Sequence, residues 1–131
     1  MLYELAKNQD VQEKLREEIQ DILSEHQAPN YECLQGMTYM EKVVNETMRK
    51  YPPVPVLARE CTKDYHVPGS SLVIEKGTVV QVSVIGIHHD EKYYPKPEIF
   101  DPERFSDVNK ANRNHYAYLP FGEGPRICIG K

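Results

Sequence analysis

One cysteine of this chain sits where a thiolate could do chemistry. The run Phe121-Gly122-Glu123-Gly124-Pro125-Arg126-Ile127-Cys128-Ile129-Gly130 closes on Cys128 after two glycines and a proline. A thiolate is both a nucleophile and a soft ligand for metals such as iron. Gly122 and Gly124 allow the backbone to turn closely against a flat ligand, Pro125 stiffens the loop, and nearby backbone N–H groups can face the sulfur. With ordinary residue frequencies, the fixed positions of this run coincide by chance in roughly one chain of this length in 10⁴ to 10⁵. The other two cysteines, Cys33 and Cys61, have no such setting and read as small core hydrophobes. Three cysteines with no C-x-x-C spacing argue against a disulfide framework and a zinc site, and for a reducing compartment.

Other residues could support that site. Glu46 and Arg49 are three apart in a helical stretch, roughly opposite its apolar stripe, and alone would read as a surface ion pair worth about 0–1 kcal/mol. Pro102-Glu103-Arg104-Phe105 offers Arg104 as a second cation for Glu46, and a carboxylate shared by two guanidinium groups can pin a loop to a helix. His88-His89-Asp90 invites a metal reading, but adjacent side chains diverge on a helix or strand. A loop-packing role is the better reading for these histidines.

The elements that must hold these residues are legible in outline. Met1 to Lys7 looks helical, and a second helix should begin near Asp10, with Val11, Leu15, Ile19, Ile22 and Leu23 inward and Glu13, Lys14, Glu17 and Glu18 in solvent. Pro29 and Gly36 bracket a linker. A further helix carries Met40, Val43, Val44, Thr47, Met48 and Tyr51 and stops at Pro52-Pro53. Short strands follow over Arg59 to Val67, Leu72 to Ile74 and Thr78 to Ile85, with turns at Pro68-Gly69 and Lys76-Gly77. From His88 to Phe121 the chain reads as a long loop with short helical turns, uncommon unless functional or packed down.

Composition narrows the classes. The 131 residues are 40% hydrophobic, enough for one modest domain, and the formal charge of −4 with no basic cluster argues against nucleic acid as a partner. The longest apolar stretch, about Val79 to Ile87, is far short of a membrane-spanning helix, and charged residues rule out a signal peptide at Met1.

Taken together, the Cys128 loop resembles the haem-binding signature of the cytochrome P450 family. Glu46-Thr47-Met48-Arg49 is similar to its E-x-x-R helix, and Pro102 to Phe105 to its P-E-R-F element. From Leu2-Tyr3-Glu4-Leu5-Ala6-Lys7-Asn8 onward the chain resembles microsomal P450s of insects and the related drug-metabolising clan. The resemblance implies an α+β, mainly α fold: the C-terminal part of the P450 architecture, with a small sheet and a long meander before the ligand. It implies one partial P450 domain over residues 1–131, a piece of a longer chain whose oxygen-activating helix and N-terminal anchor lie upstream.

The same resemblance assigns roles. Cys128 would be the catalytic thiolate and axial ligand of haem iron (iron protoporphyrin IX), Arg126 and Arg59 would contact the propionates, and Phe121, Gly122 and Gly130 would complete the haem seat. Glu46, Arg49 and Arg104 would form a structural triad, and Val54, Pro55, Val56 and Leu57 one wall of the substrate pocket. The implied activity of the parent is insertion of one oxygen atom from dioxygen into apolar organic substrates, xenobiotics or endogenous lipids and hormones. Electrons would come from NADPH through NADPH-cytochrome P450 reductase, with cytochrome b5 as a second donor, at the cytoplasmic face of the endoplasmic reticulum membrane. The competing readings are a haem-thiolate peroxide isomerase and, for these residues alone, an inactive fragment that binds no haem.

Overall fold

The computed structural model describes residues 1–24 and 30–130; Pro29 and Lys131 lie outside the described residues. Two helices open the chain, α1 (Leu2–Lys7) and α2 (Gln9–Ser24). Asn8 separates them: its side-chain amide donates to the Glu4 carbonyl at 2.8 Å, and its own carbonyl accepts from Gln12 N–H at 3.0 Å. The apolar stripe of α2 buries Val11 and Leu15, which join Leu5, Tyr39, Val43 and Phe100 in the core, with Ile19 packed against it.

The charged face of α2 is not simply solvated. Glu18 caps the next long helix, α4 (Thr38–Lys50), because its two carboxylate oxygens accept from the backbone N–H groups of Tyr39 (2.7 Å) and Met40 (2.8 Å). Those N–H groups have no partner within their own helix, so a neighbouring helix supplies one. Lys14 likewise lies over the Tyr39 ring and pairs with Glu103 at 2.8 Å.

The expected linker before α4 is instead a short helix, α3 (Tyr31–Gly36). Asn30 caps it by accepting from Cys33 N–H at 2.9 Å, and Cys33 is buried. Six residues with one buried position are too few for helical periodicity to show. Helix α4 ends at Tyr51, and Pro52 cannot continue it. Its Val44 faces solvent rather than the core.

The strand region is finer than expected. Strand β1 (Val56–Glu60) pairs antiparallel with β4 (Val79–Ser83), Val56 opposite Ser83 and Glu60 opposite Val79. Strands β2 (Tyr65–His66) and β3 (Val73–Ile74) form a separate two-stranded piece. The single strand read over Arg59 to Val67 is therefore broken at residues 61–64, and strand structure begins earlier, at Val56. Gly69 and Gly77 take φ of +74° and +86° at the two turns. Ile85 lies not in a strand but in α5 (Val84–His88), which Ser83 starts by accepting from Gly86 N–H at 3.1 Å.

Beyond α5 the chain meanders through a 3-10 turn (Pro102–Phe105), α6 (Asp107–Asn112) and a second 3-10 turn (His115–Ala117). Tyr94, Phe100, Phe105, Ala117 and Leu119 are buried, so the segment is packed down on both sides of α6, which itself buries no residue. No helix of the described residues is long and apolar enough to cross a membrane.

Candidate functional site

Glu46 and Arg49 are completely buried, not a surface pair. The face of α4 opposite its apolar stripe is covered by the segment from His88 to Asp101, which removes water but supplies carbonyls. Arg49 donates Nε to Glu46 Oε2 at 2.7 Å and Nη2 to Oε1 at 2.8 Å. Its remaining donors reach the carbonyls of His88 and Pro97, both at 2.8 Å. Glu46 Oε1 also accepts from Asp101 N–H at 3.0 Å. A buried pair is tolerated only when its spare donors and acceptors are met, and here they are met by main chain.

Arg104 approaches the same carboxylate, its Nε 3.6 Å from Glu46 Oε1, too far for a hydrogen bond. That Nε is buried without a hydrogen-bond partner. Arg104 is held through Nη2, which donates to the carbonyls of Pro95 (2.7 Å) and Lys96 (2.9 Å). The three residues therefore meet, with Glu46–Arg49 hydrogen-bonded and Arg104 acting as a nearby charge.

His88, fully buried, joins this cluster from α5. Leu119 N–H donates to its Nε2 at 2.9 Å, so Nε2 must carry the lone pair and Nδ1 the proton that goes to the Arg49 carbonyl, 3.1 Å away. Burial, aided by the charges of Arg49 and Arg113, pushes its pKa down to about 4. Its ring stacks on Tyr118 and meets Tyr94 edge-on. Tyr94 donates its phenol to the Ala117 carbonyl, and burial raises its pKa to about 12. His88 and Tyr94 thus link α4 to the approach of the cysteine loop. Sequence reading gave His88 a packing role but missed Tyr94, because its partners are a backbone carbonyl and two guanidinium faces, Arg49 and Arg113.

The cysteine loop begins where that support ends. Gly122 and Gly124 take φ of +72° and +84° and reverse the chain on either side of Glu123. Glu123 Oε1 accepts from Gly124 N–H at 3.3 Å, and Oε2 meets His115 Nε2 at 3.0 Å. Ile127 N–H donates to Gly124 carbonyl and Cys128 N–H to Phe121 carbonyl, each at 3.0 Å, which closes the loop and places Cys128 beside its own start. Phe121 is half-buried, and Cys128 is exposed. A Cβ on Gly130 would lie 3.8 Å from the Cys128 sulfur.

Strand β1 abuts this loop. A Cβ on Gly122 would lie 3.7 and 3.8 Å from the Leu57 methyl carbons and 4.0 Å from Arg59 Nη2. Leu57 and Arg59 are therefore brought to the loop, whereas Val54, Pro55 and Val56 project into solvent. Arg126 is exposed, and Arg59 donates Nη1 to the carbonyl of its neighbour Ala58. Of the other cysteines, Cys33 is a buried core residue. Cys61 is not: half-buried in the β-turn region, it directs its thiol to the carbonyls of Lys63 (3.0 Å) and Ile74 (3.6 Å).

A family model described as Cytochrome P450 matches residues 1–131. The chain belongs to the cytochrome P450 family. Among curated P450s it is 52% identical over 130 residues to cytochrome P450 6k1 of Blattella germanica, covering 98% of this chain and 25% of that protein. It is 53% identical over 131 residues to cytochrome P450 6a2 of Drosophila melanogaster (98% of this chain, 26% of that protein) and 50% identical to its probable cytochrome P450 6a14, with the same coverage. The chain thus spans about a quarter of the length of these P450s. The general chemistry of the P450 family is haem-thiolate monooxygenation. The mixture of helices with small antiparallel sheets agrees with a portion of such a protein.

Proposed function

We propose that these residues supply the thiolate side of a haem site, with Cys128 as the axial ligand of the iron. The observation that carries this reading is the exposure of the Cys128 thiol at the end of a loop built on two left-handed glycines, while Cys33 is buried and Cys61 is turned to carbonyls. The donor set fits the group. Among the described residues no three His, Cys, Asp or Glu side chains gather as a metal site, so an iron held by Cys128 must bring its other donors with it, as a porphyrin does. Gly130 keeps side-chain bulk away from the Cys128 sulfur, and Gly122 lets Leu57 and Arg59 of β1 approach the loop. Arg126 and Arg59 are the cations for the propionates, and Phe121 the aromatic neighbour of the ligand.

When bound, thiolate-ligated haem supplies dioxygen activation, with the sulfur's electron density favouring O–O cleavage. The chain's own part is mechanical and electrostatic. Glu46, Arg49 and Arg104 clamp the meander to α4, His88 and Tyr94 fix the approach to the loop, and the loop's hydrogen bonds hold the sulfur. Val54 to Leu57 form one apolar wall of the pocket, and Leu57 touches the loop itself.

The parent activity in this reading is insertion of one oxygen atom into apolar organic molecules, with electrons from NADPH through a cytochrome P450 reductase and from cytochrome b5. These residues contribute a C-terminal part of one P450 domain, and the parent works at the endoplasmic reticulum membrane. Support comes from about 50% identity to insect P450s across 98% of the chain. Cys128→Ser in the full-length protein is expected to abolish the thiolate-type absorption of the ferrous carbon monoxide complex. Persistence of that band would overturn the ligand assignment.

A further inference from the structure

Glu4 lies far from the cysteine loop in sequence and outside the Glu46–Arg49 cluster, yet it is only 2% exposed. A buried carboxylate in a short helix needs a reason. Its Oε1 accepts from the Tyr51 phenol and pairs with Lys50 Nζ at 2.9 Å. Its Oε2 accepts from Asn8 Nδ2 at 3.2 Å. Burial acts to raise the Glu4 pKa, but the bonds from Tyr51 and Lys50 outweigh it and hold the carboxyl below its usual range. The same bond pushes the Tyr51 phenol up to about 12. One ionised side chain therefore joins the first turn of α1 to the end of α4.

The position of Tyr51 gives that joint a further consequence. It is the residue on which α4 ends, and Pro52, Pro53 and Pro55 follow. Proline fixes φ and restricts the residue before it, so this connector has few torsions with which to absorb a change at Tyr51. Its far end is tied down as well: Ile85 N–H donates to the Pro55 carbonyl at 3.1 Å, and Val56 pairs with Ser83 in the sheet. Val54, between the two anchors, and Val56, at the far one, project outward, 49% and 41% exposed.

We propose that Glu4 is a positioning residue which, through Tyr51, sets how far the Pro52–Leu57 wall stands from the haem and so the bulk of molecule the pocket admits. The proposal rests on the reading of Val54 to Leu57 as a pocket wall. Glu4 touches neither haem nor substrate in this arrangement. It acts on the exit direction of the chain from α4.

The test uses the full-length, haem-loaded protein and two azoles that bind iron. In this reading imidazole would bind the iron without meeting the wall, whereas the ring of 4-phenylimidazole would lie against it. Replacement of Tyr51 by Phe deletes the phenol donor and leaves the ring, the Glu4 carboxylate and the Lys50 pair in place. For Tyr51→Phe, the Kd of 4-phenylimidazole, read from the haem absorption shift, should weaken about fivefold, the scale of one lost hydrogen bond, with imidazole changed by less than about twofold. Glu4→Gln should show the same split more strongly. If Glu4→Gln does not fold, Tyr51→Phe decides alone. Equal changes for both azoles, or none for either, would overturn the positioning role. Absence of thiolate-type absorption in the unsubstituted protein would overturn the haem reading and this one together, and would be seen before any substitution is made.

Discussion

Arg49 and His88 each hold the other's main chain: Arg49 Nη1 donates to the His88 carbonyl at 2.8 Å, and His88 Nδ1 donates to the Arg49 carbonyl at 3.1 Å. This exchange joins the end of α4 to the end of α5 without any direct side-chain contact between oppositely charged groups. It depends on a neutral imidazole with its proton on Nδ1, because Nε2 is occupied by Leu119 N–H. The buried ion pair, the histidine and the chain leading to Cys128 thus form one hydrogen-bonded unit.

Removing one partner of the buried pair leaves a charge with no water to solvate it. Glu46→Ala is expected to cost about 3–5 kcal/mol of stability, measured by urea unfolding. Arg49→Lys should also be strongly destabilising, since an ammonium cannot match the planar fork that reaches Glu46, His88 and Pro97 together. An unchanged unfolding midpoint for Arg49→Lys would show that the fork is dispensable.

Acid should weaken the fold through His88. Its folded pKa of about 4 lies below the ordinary value of 6.5, so between those values the unfolded chain takes up a proton that the folded chain refuses. Stability is then full above about pH 6.5 and falls as the pH drops toward 4, by an amount on the order of 3 kcal/mol from this group. The depressed Glu4 carboxyl acts in the same direction, losing its contribution as it is protonated. An NMR titration of the His88 ring separates the two; a midpoint near 6.5 would contradict the buried neutral imidazole.

Glu18 provides a cap from a different helix. Glu18→Ala is expected to destabilise the fold by about 1–2 kcal/mol, with Glu18→Gln falling between, because an amide oxygen still accepts one bond but carries no charge for the helix dipole. Thermal melts of the two variants check the order.

How far the sequence revealed these features depended on where the partners came from. The Cys128 loop was legible because its composition is its mechanism: glycines where φ is positive, and a cysteine at the end. Glu46 and Arg49 were legible as neighbours on a helix but not as buried groups, since the atoms that satisfy them are main-chain carbonyls and an N–H, which leave no mark in residue type. Glu18 misled for the same reason. The start of β1 at Val56, ahead of the strand read from Arg59, was not legible because Pro52, Pro53 and Pro55 obscure it, and pairing with β4 is a long-range fact. Helix α3 was too short for any periodicity.

Glycine substitutions should divide by backbone conformation. Gly124→Ala meets no atom within 4 Å, so its cost, roughly 1–2 kcal/mol, comes from the φ of +84° alone. Gly36→Ala has ordinary φ at the end of α3 and only a 3.6 Å contact with Ile22, so it should be neutral or stabilising by about 0.5 kcal/mol. Equal losses in the two variants would show that space, not conformation, sets the cost.

Glu103 receives Lys14 and Lys42, residues 89 and 61 positions away along the chain. Exposed pairs of this kind add little equilibrium stability, but their separation affects the order of assembly. The helices α1, α2 and α4 can dock through nearer neighbours, while the return of residue 103 closes a much longer loop and is entropically delayed. Glu103→Gln is therefore expected to quicken unfolding while leaving refolding nearly unchanged, as for a contact formed after the rate-limiting step. The cysteine loop, which follows Glu103 in the chain, then finds its seat only once the helical platform already stands.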